Sequence, residues 1–189
     1  QRQMCIRDSL QQAYDDGKVH ALGECLKTIP KDLDELFRGI LGRDARNMES
    51  LALCLRWILY AERPLSAEEL YFAMLSASEI GPVAAWDPED ITPEDIGRFI
   101  LSSSKGLAEP TRGKTPTIQF IHESVRDFLL KENGLAVLQM GTDFTSAGLI
   151  HDVLKIHCQR YLVSVTTDHC LESSDETAKV FPFVEYSTG

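Results

Sequence analysis

Apolar residues recur at helical spacing in several separate stretches of the chain. In "PKDLDELFRGIL" they fall at i, i+3, i+4, i+7 and i+8, which predicts a helix over residues 30–41. "LALCLRWILYAE" is apolar nearly all round and predicts the most buried helix. "AEELYFAML", "IGRFIL" and "SAGLIHDVLKIHCQRYL" predict three more, the last presenting one face made of Ile150, Val153, Leu154, His157, Cys158 and Tyr161.

Three of the predicted helices are preceded by a start signal. In a capping box, a Ser or Thr side chain accepts the backbone N–H three residues later, and an acidic side chain there bonds back. Pro93 also occupies the first helical position after Thr92, where its missing N–H costs nothing. The predicted capping pairs are Ser66 with Glu69, Thr92 with Asp95, and Ser124 with Asp127.

Two short strand-like pieces follow the third central helix. "KGLAEP" and "TIQFIH" are joined by the turn-rich "TRGKTP", which predicts a β-hairpin with a basic tip. The order of three helices followed by a hairpin is typical of a winged helix-turn-helix domain. The predicted fold is therefore mainly α with a small β-hairpin, flanked by helices at both ends, while "ESSDETAK" is expected to be a solvated loop.

Composition and charge narrow the classes of partner. A chain of 189 residues with 43% hydrophobic and 25% charged residues can bury a core, and no apolar run approaches the roughly 20 residues of a membrane helix. The formal net charge is −10, so the long-range field repels phosphate backbones. The third central helix begins "TPEDI" and has Arg98 as its only basic residue. We therefore expect neither a membrane nor a specific nucleic acid as partner.

Cysteine usage favours a reducing compartment. Five cysteines are scattered without a C-x-x-C pair, as expected for free thiols in a cytoplasmic protein, with two of them serving as small core residues: Cys54 and Cys158. The pairs His157-Cys158 and His169-Cys170 do not predict a metal site, because neighbouring residues on a helix point about 100° apart.

The segment "IHESVRD" offers the strongest candidate chemistry. A zinc-binding H-E-x-x-H motif would need a second histidine where Arg126 stands. His122, Ser124 and Asp127 invite comparison with a hydrolase triad, but S-x-x-D before an apolar stripe is itself a helix start. We therefore predict no catalytic residue and no metal ligand here.

The tip of the hairpin also lacks a nucleotide site. "GKT" ends like a phosphate-binding loop, but Ala108 stands where the leading glycine belongs, and a strand follows instead of a helix. No cofactor is therefore expected on this chain itself.

The order of motifs resembles one family. "IPKDLDELFRGIL", "AERPLSAEELYFAML", "GRFILSSSKGLAE", "QFIHESVRDFLL" and "FPFVEY" are similar to the segment that follows the NACHT ATPase module in STAND-type signalling NTPases. The similarity is greatest to fungal NOD-like receptors, which often carry ankyrin repeats, and to the winged-helix domain named after GPI inositol-deacylase. It extends over roughly residues 22–186.

The resemblance implies a domain organisation within an innate-immunity receptor. Residues 1–9 fit no helical or strand period and are set apart as a doubtful leader. The resemblance implies a helical segment over 10–46 leading from the ATPase module, a winged-helix domain over 47–133, and a helical segment over 134–189 leading to repeats. The partners would be the ATPase module, which binds ADP or ATP with magnesium, and the repeat domain of the same parent chain, with self-assembly also allowed. The alternative is a free-standing winged helix that binds protein or nucleic acid.

The resemblance also gives His122 and Glu123 a role. Ile121, His122 and Glu123 match the position of an "MHD" triplet whose histidine approaches the β-phosphate of ADP and holds the inactive state. The residues alone leave a structural role open, with His122 ending a strand from which Ile118 and Phe120 point into the core. Nucleotide sensing and a purely structural role are therefore two hypotheses for His122.

Overall fold

The computed structural model describes residues 33–42, 47–77, 85–130, 147–168 and 174–188. Everything from Leu41 onward belongs to one compact unit, and the preceding residues to a second. In the described residues the structure is mainly α-helical with one small antiparallel sheet, which confirms the predicted class. The elements are α1 Leu33–Gly42, α2 Met48–Tyr60, α3 Ala67–Leu75, α4 Pro93–Ser103, β1 Ala108–Pro110, β2 Ile118–Phe120, α5 Glu123–Leu130, α6 Ala147–Asp168, α7 Ser174–Val180 and α8 Val184–Thr188.

The starts of α3 and α4 follow the predicted local chemistry. The Ser66 hydroxyl accepts the Glu69 backbone N–H at 3.1 Å, and the Ser66 N–H donates to the Glu69 carboxylate at 2.8 Å. Thr92 and Asp95 make the same reciprocal pair, each backbone N–H lying 3.2 Å from its acceptor. Both predicted capping boxes are therefore present, and Pro93 begins α4.

The end of α4 is built from two residues in the left-handed region. Lys105 has φ 51° and Gly106 has φ 77°, and the Gly106 N–H donates to the carbonyl of Leu101 at 2.9 Å. Since Ser104 is the C-cap, this bond and the one from the Lys105 N–H to the carbonyl of Ser102 at 3.2 Å form a Schellman motif, which ends many helices. The Lys105 ammonium group donates to the carbonyl of Leu41 at 2.9 Å.

The hairpin is tied to the helices that precede it. β1 and β2 pair antiparallel, as the predicted hairpin requires, and the structure places Ala108 opposite Phe120. The N–H of Ile118 donates to the carbonyl of Leu65 at 2.8 Å, which joins β2 to the loop between α2 and α3. Ile118 is buried, but the expectation for Phe120 is wrong: this side chain is only half-buried, because it lines an open cleft.

One core collects side chains from α2, α3, α4, the hairpin, α6 and the segment that leads into α8. Leu51, Ala52, Cys54, Leu55 and Trp57 are buried along α2, consistent with its predicted burial on most sides. The later elements add buried residues to the same cluster as α2, α3 and α4: Ile150, Leu154, Tyr161 and Val165 from α6, and Phe181 and Phe183 before α8.

The C-terminal elements differ from expectation. α6 continues to Asp168, and "ESSDETAK" includes α7 where a solvated loop was predicted. Helical turns persist there because the segment is anchored: the Val180 carbonyl accepts the Trp86 N–H at 2.8 Å, and Phe181 is buried beside it in sequence. Long-range anchoring has overridden a local composition that favours a loop.

An aromatic cluster fixes the C-terminal segment to α2. The Phe183 ring meets Trp57 edge-on at 5.4 Å and Tyr161 at 5.2 Å, and stacks on Tyr186 at 5.3 Å. These separations fall within the favoured range for aromatic pairs. Tyr186 also meets the Trp57 ring edge-on at 5.8 Å, so Phe183 and Tyr186 together cover Trp57 near the C-terminal end of α2.

None of the helices within the described ranges is both long enough and apolar enough to cross a membrane.

Candidate functional site

The junction between β2 and α5 carries the residues singled out by the sequence. His122 is exposed, and its Nδ1 accepts the Ser124 backbone N–H at 3.1 Å. The Ser124 hydroxyl lies 2.8 Å from the same nitrogen. A neutral ring that accepts at Nδ1 carries its hydrogen on Nε2. The exposed imidazole therefore has an N–H donor on the side opposite its local contacts.

The predicted capping role of Ser124 and Asp127 is wrong. α5 begins at Glu123, so Ser124 already lies in the first helical turn. The residue before the helix is His122: its carbonyl accepts the Val125 N–H at 3.0 Å, and its ring accepts the Ser124 N–H. The imidazole does what a Ser or Asp oxygen does at other helix starts, satisfying an N–H that has no partner within the helix.

The same geometry does not form a hydrolase triad. The Ser124 hydroxyl and its own backbone N–H converge on one ring nitrogen, a local arrangement two residues long. A triad needs the second ring nitrogen to donate to a carboxylate that orients it. Asp127 is exposed on α5, and within the described part of the chain no hydrogen bond joins it to His122.

A cleft of about 390 Å³ lies beside this junction. Its walls come from α2, the α2–α3 loop, the hairpin and the first turn of α5. Its charged groups are Arg63, Glu123 and Arg126, and apolar surface comes from residues such as Leu65 and Phe120. The cleft is therefore lined by apolar side chains and by charged side chains of both signs.

Each arginine in the cleft is held by a carboxylate. Arg63 makes two bonds to Glu69, at 2.6 and 3.0 Å, and this partner raises the pKa of the guanidinium. Arg126 contacts Glu123 at 3.2 Å, one helical turn away. The charge of Glu123 next to His122 is thus partly offset by Arg126.

Arg63 and Tyr186 were not singled out from the sequence. The Arg63 guanidinium lies over the Tyr186 ring, 5.2 Å from its centre, and the Tyr186 hydroxyl accepts the Glu62 backbone N–H at 2.9 Å. The Glu69 side chain, 8% exposed, accepts hydrogen bonds from Arg63 and from the Ser66 N–H. The sequence near Glu69 predicted its capping box with Ser66. It could not predict the contact between Arg63 and Tyr186, because these two residues lie far apart in the chain.

The exposed face of α4 is acidic at its leading end. Glu94 is exposed and Asp95 half-exposed in the first turn, and Arg98 is paired with Asp95 at 2.6 Å. Hydrogen bonds from Thr92 lower the pKa of Asp95, which keeps its negative charge. This end of α4 presents negative charge to any approaching phosphate.

The histidine and cysteine pairs do not form a cluster in the described residues. His157 is buried with its ring 6.4 Å from that of Trp57, and burial, with the charges of Arg160 and Arg56, lowers its pKa to about 4. Cys54 is buried, which raises its pKa to about 12. Cys158 is half-buried, whereas the His169-Cys170 pair lies outside the described residues.

A metal site would need several ligand side chains close together in the described part of the chain. No group of three or more His, Cys, Asp or Glu side chains is arranged there to hold a metal ion.

Comparison of the chain with family models, with curated proteins and with solved structures finds no match.

Proposed function

We propose that the chain is a non-catalytic, regulatory winged-helix module of a cytoplasmic STAND-type NTPase of the NACHT class. It would lie between an ATPase module and a repeat domain and couple nucleotide state to receptor assembly. The winged helix would consist of α2, α3, α4 and the β1–β2 hairpin. Support for this assignment comes from the order of these elements and from the bond between the Ile118 N–H and the Leu65 carbonyl, which ties the hairpin to the helical pair.

The observation that carries the functional proposal is the exposure of the His122 ring and the hydrogen bonding of its Nδ1. Its ring is exposed, and its local bonds use Nδ1, so Nε2 is available as a donor at the position the resemblance assigns to phosphate contact. His122 would donate to the β-phosphate of ADP held by the ATPase module. Arg126 would reduce the repulsion between Glu123 and that phosphate through their ion pair.

The proposed mechanism is a rigid-body rotation biased by that contact. A contact made only in the closed, ADP-bound state shifts the equilibrium by its own differential free energy. A hydrogen bond to a charged group contributes about 1.5 to 3 kcal/mol, which corresponds to roughly one to two decades in the open population. This chain itself would make or break no covalent bond.

The acidic start of α4 favours this function over the alternative of a nucleic-acid-binding winged helix. Such proteins place the equivalent helix in the major groove, with its leading end close to phosphates. Here that end carries Glu94 and Asp95, and its nearby cation, Arg98, is engaged by Asp95.

The test begins with the parent reading frame. We expect a G-x-x-x-x-G-K-[ST] motif upstream, and an upstream ATPase module that binds the purified chain more tightly when loaded with ADP than with a non-hydrolysable ATP analogue. Titration calorimetry of the two states measures this difference. His122→Ala should reduce the ADP-state affinity by tenfold or more, while His151→Ala, which removes another exposed histidine on α6, should not.

Two results would contradict the proposal. One is a complete parent frame without a phosphate-binding loop. The other is equal loss of affinity from His122→Ala and His151→Ala. Tight, sequence-selective binding of duplex DNA by the chain at physiological salt would favour the alternative instead.

A further inference from the structure

The helix α6 has apolar residues on two opposite sides. Its inner side contributes Ile150, Leu154, Tyr161 and Val165 to the core. Its outer side exposes three large apolar residues that have no place in that core: Leu149 at 45% exposure, Ile156 at 46% and Val163 at 64%. A helix that only covers a core needs one apolar side, so the second side requires an explanation.

The three exposed residues are spaced for contact with another helix. They recur every seven positions, and each heptad drifts by only about 20° around an α-helix, so they form one stripe. α6 has 22 residues, which corresponds to a length of about 33 Å. The stripe therefore extends along three to four turns of a straight, continuous element.

Charges on the stripe identify the partner. Asp152 and Arg160 are exposed and lie on the same side, four positions before and four positions after Ile156. Leu149 and Val163 lie seven positions before and after it. The stripe is therefore symmetric about Ile156 in its apolar positions and antisymmetric in its charges.

We propose that this face of α6 is a self-association surface on which a second copy of the chain packs antiparallel, with the two-fold axis at Ile156. In an isologous contact, a residue n positions before the axis meets the residue n positions after it on the other copy. Asp152 then faces Arg160 of the partner subunit, and Leu149 faces Val163 of the partner subunit. A parallel arrangement would instead place Asp152 against Asp152 of the partner subunit.

The dimer is expected to be weak and reversible. One pair of helices over this length lies at the low end of specific interface sizes. Each copy also carries a formal net charge of −10, so the two copies repel each other, and this repulsion weakens only as the salt concentration rises. This surface is independent of the nucleotide-sensing role and holds whether or not that role is correct.

Sedimentation equilibrium of the 189-residue chain over a concentration series, in about 0.15 M salt, tests the proposal. The weight-average mass should rise from 21.2 kDa toward twice that value. Ile156→Glu places two carboxylates at the axis and should abolish the rise. Leu101→Glu, the same kind of change at an exposed apolar residue of α4, should leave it unchanged. A chain that stays monomeric at every concentration would overturn the proposal, as would a dimer lost with Leu101→Glu but kept with Ile156→Glu.

Charge reversal tests the antiparallel register. Asp152→Arg or Arg160→Asp alone brings like charges together at two symmetric places, and each should weaken the dimer about tenfold or more. The double variant restores opposite charges and should recover dimerisation. If the single variants have no effect, or the double variant is as weak as the singles, the antiparallel pairing is wrong. Circular dichroism melting confirms that each variant is folded.

Discussion

Replacing Phe183 by alanine should destabilise the domain more than any other single truncation near the C-terminal end of the chain. The ring is fully buried and contacts three aromatic side chains from α2, α6 and α8: Trp57, Tyr161 and Tyr186. Phe→Ala in a core costs about 3 to 5 kcal/mol, because transfer free energy is lost and a cavity remains. For a chain of this size that corresponds to a fall in melting temperature of roughly 6 to 20 °C.

Urea unfolding followed by far-ultraviolet circular dichroism measures the loss. Phe183→Leu keeps most of the volume and should cost only about 1 to 2 kcal/mol, which keeps the comparison measurable if the alanine variant fails to fold. Phe120→Ala is the matched control, the same change at a half-buried ring beside the cleft. If Phe183→Ala costs no more than Phe120→Ala, the C-terminal segment does not complete the core and the aromatic cluster is wrongly placed.

Three further predictions concern stability. Leu55→Ala, at a fully buried position, should cost about 2 to 5 kcal/mol in urea unfolding, and Arg112→Ala on the exposed hairpin tip less than about 0.5; similar costs would mean that α2 is misassigned. Glu69→Ala should lower the melting temperature more than Asp95→Ala, since Glu69 is buried and binds Arg63 through both carboxylate oxygens, whereas the Asp95–Arg98 pair is exposed; the reverse order would refute that reasoning. Burial, with the charges of Arg160 and Arg56, lowers the pKa of folded His157 from 6.5 to about 4. The unfolded state therefore takes up the proton first, and about 1 to 3 kcal/mol of stability should be lost as pH falls from 6.5 to 4. His157→Gln should flatten this part of the unfolding free energy against pH, and an unchanged slope would assign it to other groups.

Features set by neighbours in sequence were predictable, and features set by distant contacts were not. The boxes at Ser66 and Thr92 need only residues three positions apart, and both are present. The cap of α5 was assigned to Ser124 because hydroxyl residues dominate that position, but the helix begins at Glu123, and an imidazole nitrogen of His122 accepts the N–H of Ser124 itself. α7 was predicted as a loop because its residues are polar, whereas its anchors are the bond from Trp86 and the burial of Phe181, which act across the fold.

The candidate site shows the same division. The sequence marked His122 and Glu123, which lie at the junction of β2 and α5. It did not mark Arg63, because the arrangement that holds this side chain depends on Glu69 and on Tyr186 from the far end of the chain. For α6 the sequence predicted the apolar face that carries Ile150, Leu154 and Tyr161, whereas the exposure of the second apolar side came only from the structure.

The bond between the Glu62 N–H and the Tyr186 hydroxyl joins residues 124 positions apart, and it bears on how the chain folds during synthesis. During synthesis α2 emerges from the ribosome well before Phe183 and Tyr186, so its Trp57 lacks these two ring contacts until they arrive. Contacts of such long sequence separation slow folding, because a large loop must close before they form. A nascent chain would therefore expose an apolar helix for most of its translation time. Chaperones that bind exposed apolar segments would have access to α2 until then. A ribosome stalled before residue 183 would hold an intermediate with this apolar surface exposed, and such intermediates are prone to aggregate.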